Sequence, residues 1–181
     1  MLSVFPDNTV LINFATIGRM DLLADLVSSN GRWCITVAGE CDDWSGKLDL
    51  PEMLKAHEIF GDPLVPESGH EHRAAQRYRD MLRSAGQPPT QNTGEAETLA
   101  IIECRGIRAM FVTDDTSVLR VAPPNDPVVV STWALLRAAR RRKLVTADQL
   151  WSYSRALHAA GRHTPPTGPF DRGAFDEWLK G

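Results

Sequence analysis

At 181 residues the chain has the length of one domain with a terminal extension, since single domains run to roughly 100–200 residues. A net charge of −3 excludes an overall basic field for nucleic-acid capture, though a local basic patch can still steer one. Cys34, Cys41 and Cys104 are odd in number and lack CxxC spacing, and no apolar run approaches a membrane span of roughly 18 residues. The expectation is therefore a soluble, cytoplasmic protein without disulfides, zinc or a leader.

In chain order, Leu2 to Phe5 form an apolar strand ended by Pro6. Leu11, Phe14, Ala15, Gly18, Leu22 and Leu26 recur at helical spacing, so one or two helices cover Thr9 to Val27, with Gly18 as a break point. Asn30-Gly31 is a turn signal, and Arg32 to Ala38, rich in β-branched residues, reads as a second strand. Less regular chain follows from Asp42 to Asn92: a short helix (Pro51 to Phe60), a Pro/Gly loop (Gly61 to Gly69), a charged helix (Glu71 to Ser84) and a loop (Gln87 to Gly94). A helix through Ala96, Leu99, Ala100 and Glu103 ends near Gly106. Ile107 to Thr113 is a buried strand, Asp115 to Val121 a short helix, and Val128 to Val130 another strand. Ser131 caps a helix over Thr132 to Lys143, and Thr146 with Gln149 forms a capping box for a helix to about Ala160. After the break at Thr164 to Pro169, Asp171 to Leu179 makes a terminal helix. Strands alternating with helices imply the α/β class: a three-layer α/β/α sandwich around a mainly parallel sheet.

Acidic residues mark the junctions. Asp7 follows the first strand, Glu40 the second, Asp114 and Asp115 the third, and Glu95 and Glu97 open a helix. The carboxyl ends of strands line the ligand crevice of an open α/β sheet, so these distant carboxylates can meet there. Crowded carboxylates repel unless neutralised, and Mg²⁺ or Mn²⁺ is the usual neutraliser. Thr9 and Thr113, flanking the acids, can add hydroxyls. The pattern points to metal-assisted chemistry on phosphate, with Glu97 or Asp115 as a spare carboxylate to orient water.

Asp7-Asn8-Thr9-Val10-Leu11-Ile12-Asn13-Phe14, Val37-Ala38-Gly39-Glu40, Gly94-Glu95-Ala96-Glu97 and Thr113-Asp114-Asp115 stand in the order found in PIN domains. With the Val129 to Leu136 stretch, they resemble a bacterial PIN subgroup over residues 1–145. The resemblance implies a PIN-like fold with a helical insertion at about 44–92 and a C-terminal helical extension, 146–181, packed on the same domain. It also implies a Mg²⁺- or Mn²⁺-dependent endoribonuclease, the toxin of a toxin–antitoxin pair, with RNA as substrate, a small antitoxin as partner and a homodimer as assembly. Asp7, Glu40, Glu95 and Asp114 would be its metal-binding quartet, with Glu97 replacing Glu95, or Asp115 joining, as open alternatives.

Simpler readings stand beside these. Capping explains an Asp at a helix start, and the helix dipole favours Glu95 and Glu97 in a first turn. Arg140, Arg141 and Arg142 suit a helix C-terminus as well as an RNA backbone; Arg73, Arg77, Arg79 and Arg83 form a weaker basic candidate. His70-Glu71-His72 reads as surface because i,i+2 residues diverge on a helix. Trp133, Trp151 and Trp178 read as packing residues. A haloacid-dehalogenase-type phosphatase needs an acid where Thr9 stands, and a receiver domain needs a late Lys where Ser131 and Thr132 stand. The alternative of a different class is a catalytically silent PIN-like binding or regulatory module.

Overall fold

Three short parallel strands organise the protein: β1 (Ser3–Pro6), β2 (Ala109–Val112) and β3 (Val128–Val130), hydrogen-bonded in the order β1-β2-β3. The structure is a computed structural model and describes residues 2–84, 88, 91–123, 127–164 and 170–180. Ser3 stands opposite Ala109 and Phe5 opposite Phe111, while Phe111 stands opposite Val129. The strand period of two sorts side chains to opposite faces. Phe5, Ala109, Phe111 and Val129 pack toward Tyr78, Leu99 and Val118. These belong to α5 (Gly69–Leu82), α6 (Thr93–Arg105) and α7 (Ser117–Val121). On the other face Val4, Met110, Val112 and Val130 meet a larger cluster containing Phe14, Leu22, Trp33, Leu136, Leu157 and Phe175. That cluster draws on α1 (Asn8–Thr16), α2 (Met20–Val27), α3 (Ile35–Lys47), α4 (Ala56–Phe60), α8 (Thr132–Arg141), α9 (Ala147–Ala159) and α10 (Arg172–Lys180). Helices thus cover both faces of a small parallel sheet, an α/β arrangement. Leu150, Leu157 and Phe175 are fully buried with α1, so α9 and α10 share the core of the preceding residues.

Local signals act where expected. Gly18 adopts φ +64° between α1 and α2, and Gly106 ends α6 in the left-handed conformation that glycine accepts at low cost. Ser131 Oγ accepts from Ala134 N at 3.2 Å, and Thr146 and Gln149 form the expected capping box. The loops expected at 87–94 and 164–169 lie partly outside the described residues. Among the described residues, no helix is long and apolar enough to cross a membrane.

Two expectations are corrected. Arg32 to Ala38 do not form a strand: Cys34 is the N-cap of α3, and the pairing here is the isolated bridge Cys34–Leu64, with Val4–Gly31 just before it. The β-branched Ile35-Thr36-Val37 run is overridden by packing, because Val37, Ala38, Cys41 and Ser45 bury one helical face. A side chain from α6 also caps the new helix: Glu97 accepts from Thr36 N at 3.1 Å and from Thr36 Oγ1 at 2.9 Å. Glu40 consequently lies inside a helix rather than at a strand end. Second, Glu71 is not on the surface. It is 5 % exposed, closes the capping box of α5 with Ser68, and pairs with Arg105 at 2.6 Å. Arg105 and the backbone N–H groups of Glu67 and Ser68 pull its carboxyl down to about 2.

Candidate active site

The ladder brings the ends of the strands together. Asp7 N donates to Val112 O at 2.8 Å, and Thr113 N donates to Val130 O at 2.9 Å, so Asp7, Thr113 and Asp114 leave adjacent strands side by side. Asp7 caps α1, accepting from Asn8 N at 2.7 Å and Thr9 N at 3.4 Å. Thr9 Oγ1 donates to its other oxygen at 2.5 Å and Thr113 Oγ1 at 3.4 Å, so both flanking hydroxyls serve this one carboxylate. Asp7 is 2 % exposed, and its carboxyl is pushed above its ordinary 3.8: burial outweighs the hydrogen bonds from Thr9 and Asn8, and Asp114 adds repulsion.

Glu40 reaches the same place from α3. Burial raises it to about 7, followed by repulsion from Asp7, Glu97 and Asp43. Glu95, in the first turn of α6, rises to about 8 for similar reasons: burial, then Asp7, with Glu40 and Asp115 adding to the repulsion. Gly94 allows α3 and α6 to meet. A Cβ there would lie 3.0 Å from Val37 Cγ2 and 3.4 Å from a Glu40 oxygen, closer than most side chains accept. Carboxylates from four separated segments therefore press on one another.

The remaining acids divide their work. Asp114 is committed: it accepts from Asn13 Nδ2, Thr132 N and Thr132 Oγ1, each at 2.8 Å. Asp115 spends one oxygen on Ser117 N at 2.7 Å, at the entry to α7. Both oxygens of Glu97 bind Thr36, so Glu97 holds α3 in place and is no longer a spare carboxylate. Arg140 and Arg141 end α8 and Arg142 follows it. They lie roughly 12–15 Å along its axis from the Thr132 end that meets Asp114, and Arg142 donates to Asp25 O at 3.4 Å. Of the other basic candidates, Arg77 pairs with Glu103 at 2.6 Å.

Asn13, Thr132, Thr36 and Arg162 are the site residues that sequence reasoning missed. Arg162, just past α9, donates to Asn13 Oδ1 at 2.8 Å and to Thr9 O at 3.4 Å, while Asn13 holds Asp114. These partners lie far apart in sequence, so no local pattern announces them. The Asn13 one and a half turns after Asp7 was the available hint: it shares the helix with Asp7, and a polar residue on a buried face needs a partner.

A hard divalent cation suits this donor set. The donors are all oxygens, and what acts on Glu40 is burial and negative charge alone. Among the described residues, no three of His, Cys, Asp or Glu are grouped to hold one ion.

The raised carboxyls set a pH dependence. Glu40 and Glu95 ordinarily titrate near 4.5 but in the fold near 7 and 8. Between those values the folded state holds more protons than the unfolded chain, so stability falls as pH rises. In chelator, stability is expected to drop by about 1–2 kcal/mol between about pH 5 and pH 8, a figure discounted for partial exposure. Glu95→Gln should flatten the drop; calorimetry at stepped pH checks both, and a midpoint rising over that window would contradict the assignment. Comparison of the chain with protein-family models, curated proteins and solved structures finds no match.

Proposed function

We propose that this protein is a metal-dependent endoribonuclease with a PIN-like fold, the toxin component of a toxin–antitoxin pair. One observation carries the reading: Asp7 after β1, Glu40 on α3, Glu95 on α6 and the Asp114-Asp115 pair after β2 share one electrostatic space, with Asp7, Glu40 and Glu95 raised by burial and mutual repulsion. Such a cluster is costly for the free protein and becomes favourable once a cation enters.

Mg²⁺ or Mn²⁺ held by Asp7, Glu40, Glu95 and Asp114 or Asp115 would supply positive charge for the scissile phosphate and acidify a water. The protein's own part is orientation and proton handling. Thr9 and Thr113 fix the Asp7 carboxylate, and Asn13 and Thr132 fix Asp114. Asp115, with one oxygen tied to Ser117 N, has the other to serve an attacking water as proton acceptor. Arg140, Arg141 and Arg142 extend the RNA contact away from the cleft. A small antitoxin covering the acids and a homodimer belong to the same reading.

The decisive experiment incubates the pure protein with structured RNAs in Mg²⁺ or Mn²⁺, with and without chelator, and with the Asp7→Asn variant as control. Cleavage that persists in chelator, or in the variant, ends the proposal. The alternative of a different class is a silent PIN-like binding module. Metal titration separates the two: the nuclease gains about 2.7 kcal/mol of stability with Mn²⁺ at a hundredfold over its dissociation constant. The module gains nothing, and no more than its Asp7→Asn form.

A further inference from the structure

A cavity of about 300 Å³ opens beside the Asp114-Asp115 corner, between α8 and the chain beyond α9. Trp133 and Arg137, four residues apart on one face of α8, form one wall, and His163 and Trp178 contribute another. We infer that this cavity receives the base of a nucleotide flanking the scissile phosphate in single-stranded RNA, an inference that rests on the nuclease reading above.

The aromatic wall is braced before any ligand arrives. Trp133 is 4 % exposed and donates its Nε1 to His163 O at 3.0 Å, which ties the C-terminal segment to α8. Trp178 meets Trp133 edge-on, ring centres 5.7 Å apart and planes at 89°. One side of Trp178 therefore belongs to the core, while the half-buried remainder lines the cavity. The Arg137 guanidinium lies over the Trp178 ring at 5.2 Å, and among the described residues no carboxylate pairs with it. A guanidinium poised over an indole is a cation and a planar stacking group at once, the pairing that single-stranded RNA readers use for bases.

Charge and size choose the occupant. Asp114 and Asp115, which line the cavity, repel a bare phosphate, whereas a neutral base meets no such repulsion. The volume is at the small end of the roughly 300–1,000 Å³ range for small-ligand clefts, room for one nucleotide-sized group. Because the same two aspartates border the acidic cluster, a base seated here places its own phosphate toward that cluster.

The test measures binding of a short unstructured RNA to the full chain in chelator, where nothing is cut. Arg137→Ala and Trp178→Leu should each weaken binding roughly five- to a hundredfold, the effect of losing one stacked base. Arg137→Lys should weaken it too, since lysine does not stack, whereas Trp178→Phe should retain most of it. An RNA lacking one base should bind the wild type as weakly as intact RNA binds Arg137→Ala, with no further loss when the two changes are combined. Variants that bind as the wild type, or RNA whose abasic form binds equally at every position, overturn the inference. If Trp178→Leu fails to fold, Arg137→Ala and the abasic series decide. Cleavage in Mn²⁺ with an unchanged KM in Arg137→Ala overturns the subsite while leaving the nuclease standing. RNA bound through these residues without any cleavage supports the subsite and removes the nuclease reading.

Discussion

Asp7→Asn is expected to abolish metal-dependent RNA cleavage while leaving the thermal midpoint unchanged or raised. Asparagine has the shape of aspartate and is as good an N-cap, so the bond from Asn8 N at 2.7 Å survives. Its amide nitrogen can donate to Thr9 Oγ1, reversing the present 2.5 Å bond once the two side chains ease apart by a few tenths of an ångström. What disappears is the charge, and that charge is costly in the free protein: burial already holds the Asp7 carboxyl above 3.8. At neutral pH the folded state therefore gains by losing it. Activity should fall by more than the roughly 10–100-fold typical of residues that only orient a metal ligand. Calorimetry and a cleavage assay on the same pure sample check the pair of outcomes. Retained cleavage at wild-type rate, or collapse of the fold, would each refute it.

Asp114→Ala should behave in the opposite way, as a stability variant. Three donors from two residues converge on this carboxylate, and both residues are almost inaccessible: Asn13 is 2 % and Thr132 0 % exposed. Removing the acceptor orphans those donors at about 1–3 kcal/mol each, partly relieved because Asn13 and Thr132 still bond each other at 3.1 Å. A net loss of about 3 kcal/mol corresponds to a midpoint lowered by roughly 6–12 °C for a chain of this size. Asp115→Asn, altering a half-exposed side chain, should stay within about 0.5 kcal/mol of wild type and still lose cleavage. Denaturant melts of both variants show whether the two neighbouring aspartates divide structure and chemistry in this way.

The sequence announced those parts of the molecule whose causes are local. Gly18, Gly106, Ser131 and the Thr146–Gln149 box act over a few residues, and each marks an end of a helix where expected. The strands at 3–6, 109–112 and 128–130 were legible because each is a short, largely apolar run, with Phe5, Phe111 and Val112 buried. α3 was not legible as a helix. Ile35-Thr36-Val37 has strand propensity, and the carboxylate that caps the helix comes from Glu97, 61 positions away. Glu40, expected at a strand end, stands instead on a helix that Gly94 lets α6 approach. The supports of Asp114 were hidden for the same reason: Asn13 lies 101 positions from it, and Arg162 lies 149 from Asn13.

The register of the sheet also governs how the molecule comes into being. β1 is made before the other two strands and takes β2 as its strand neighbour, Ser3 opposite Ala109, so Asp7 waits for about a hundred further residues before a neighbouring strand exists. At roughly 5–20 residues per second, that interval is on the order of 5–20 s. Arg162, which props Asn13, emerges later still. A nascent chain accordingly cannot complete its acidic cluster until β2, and then Arg162, has been made.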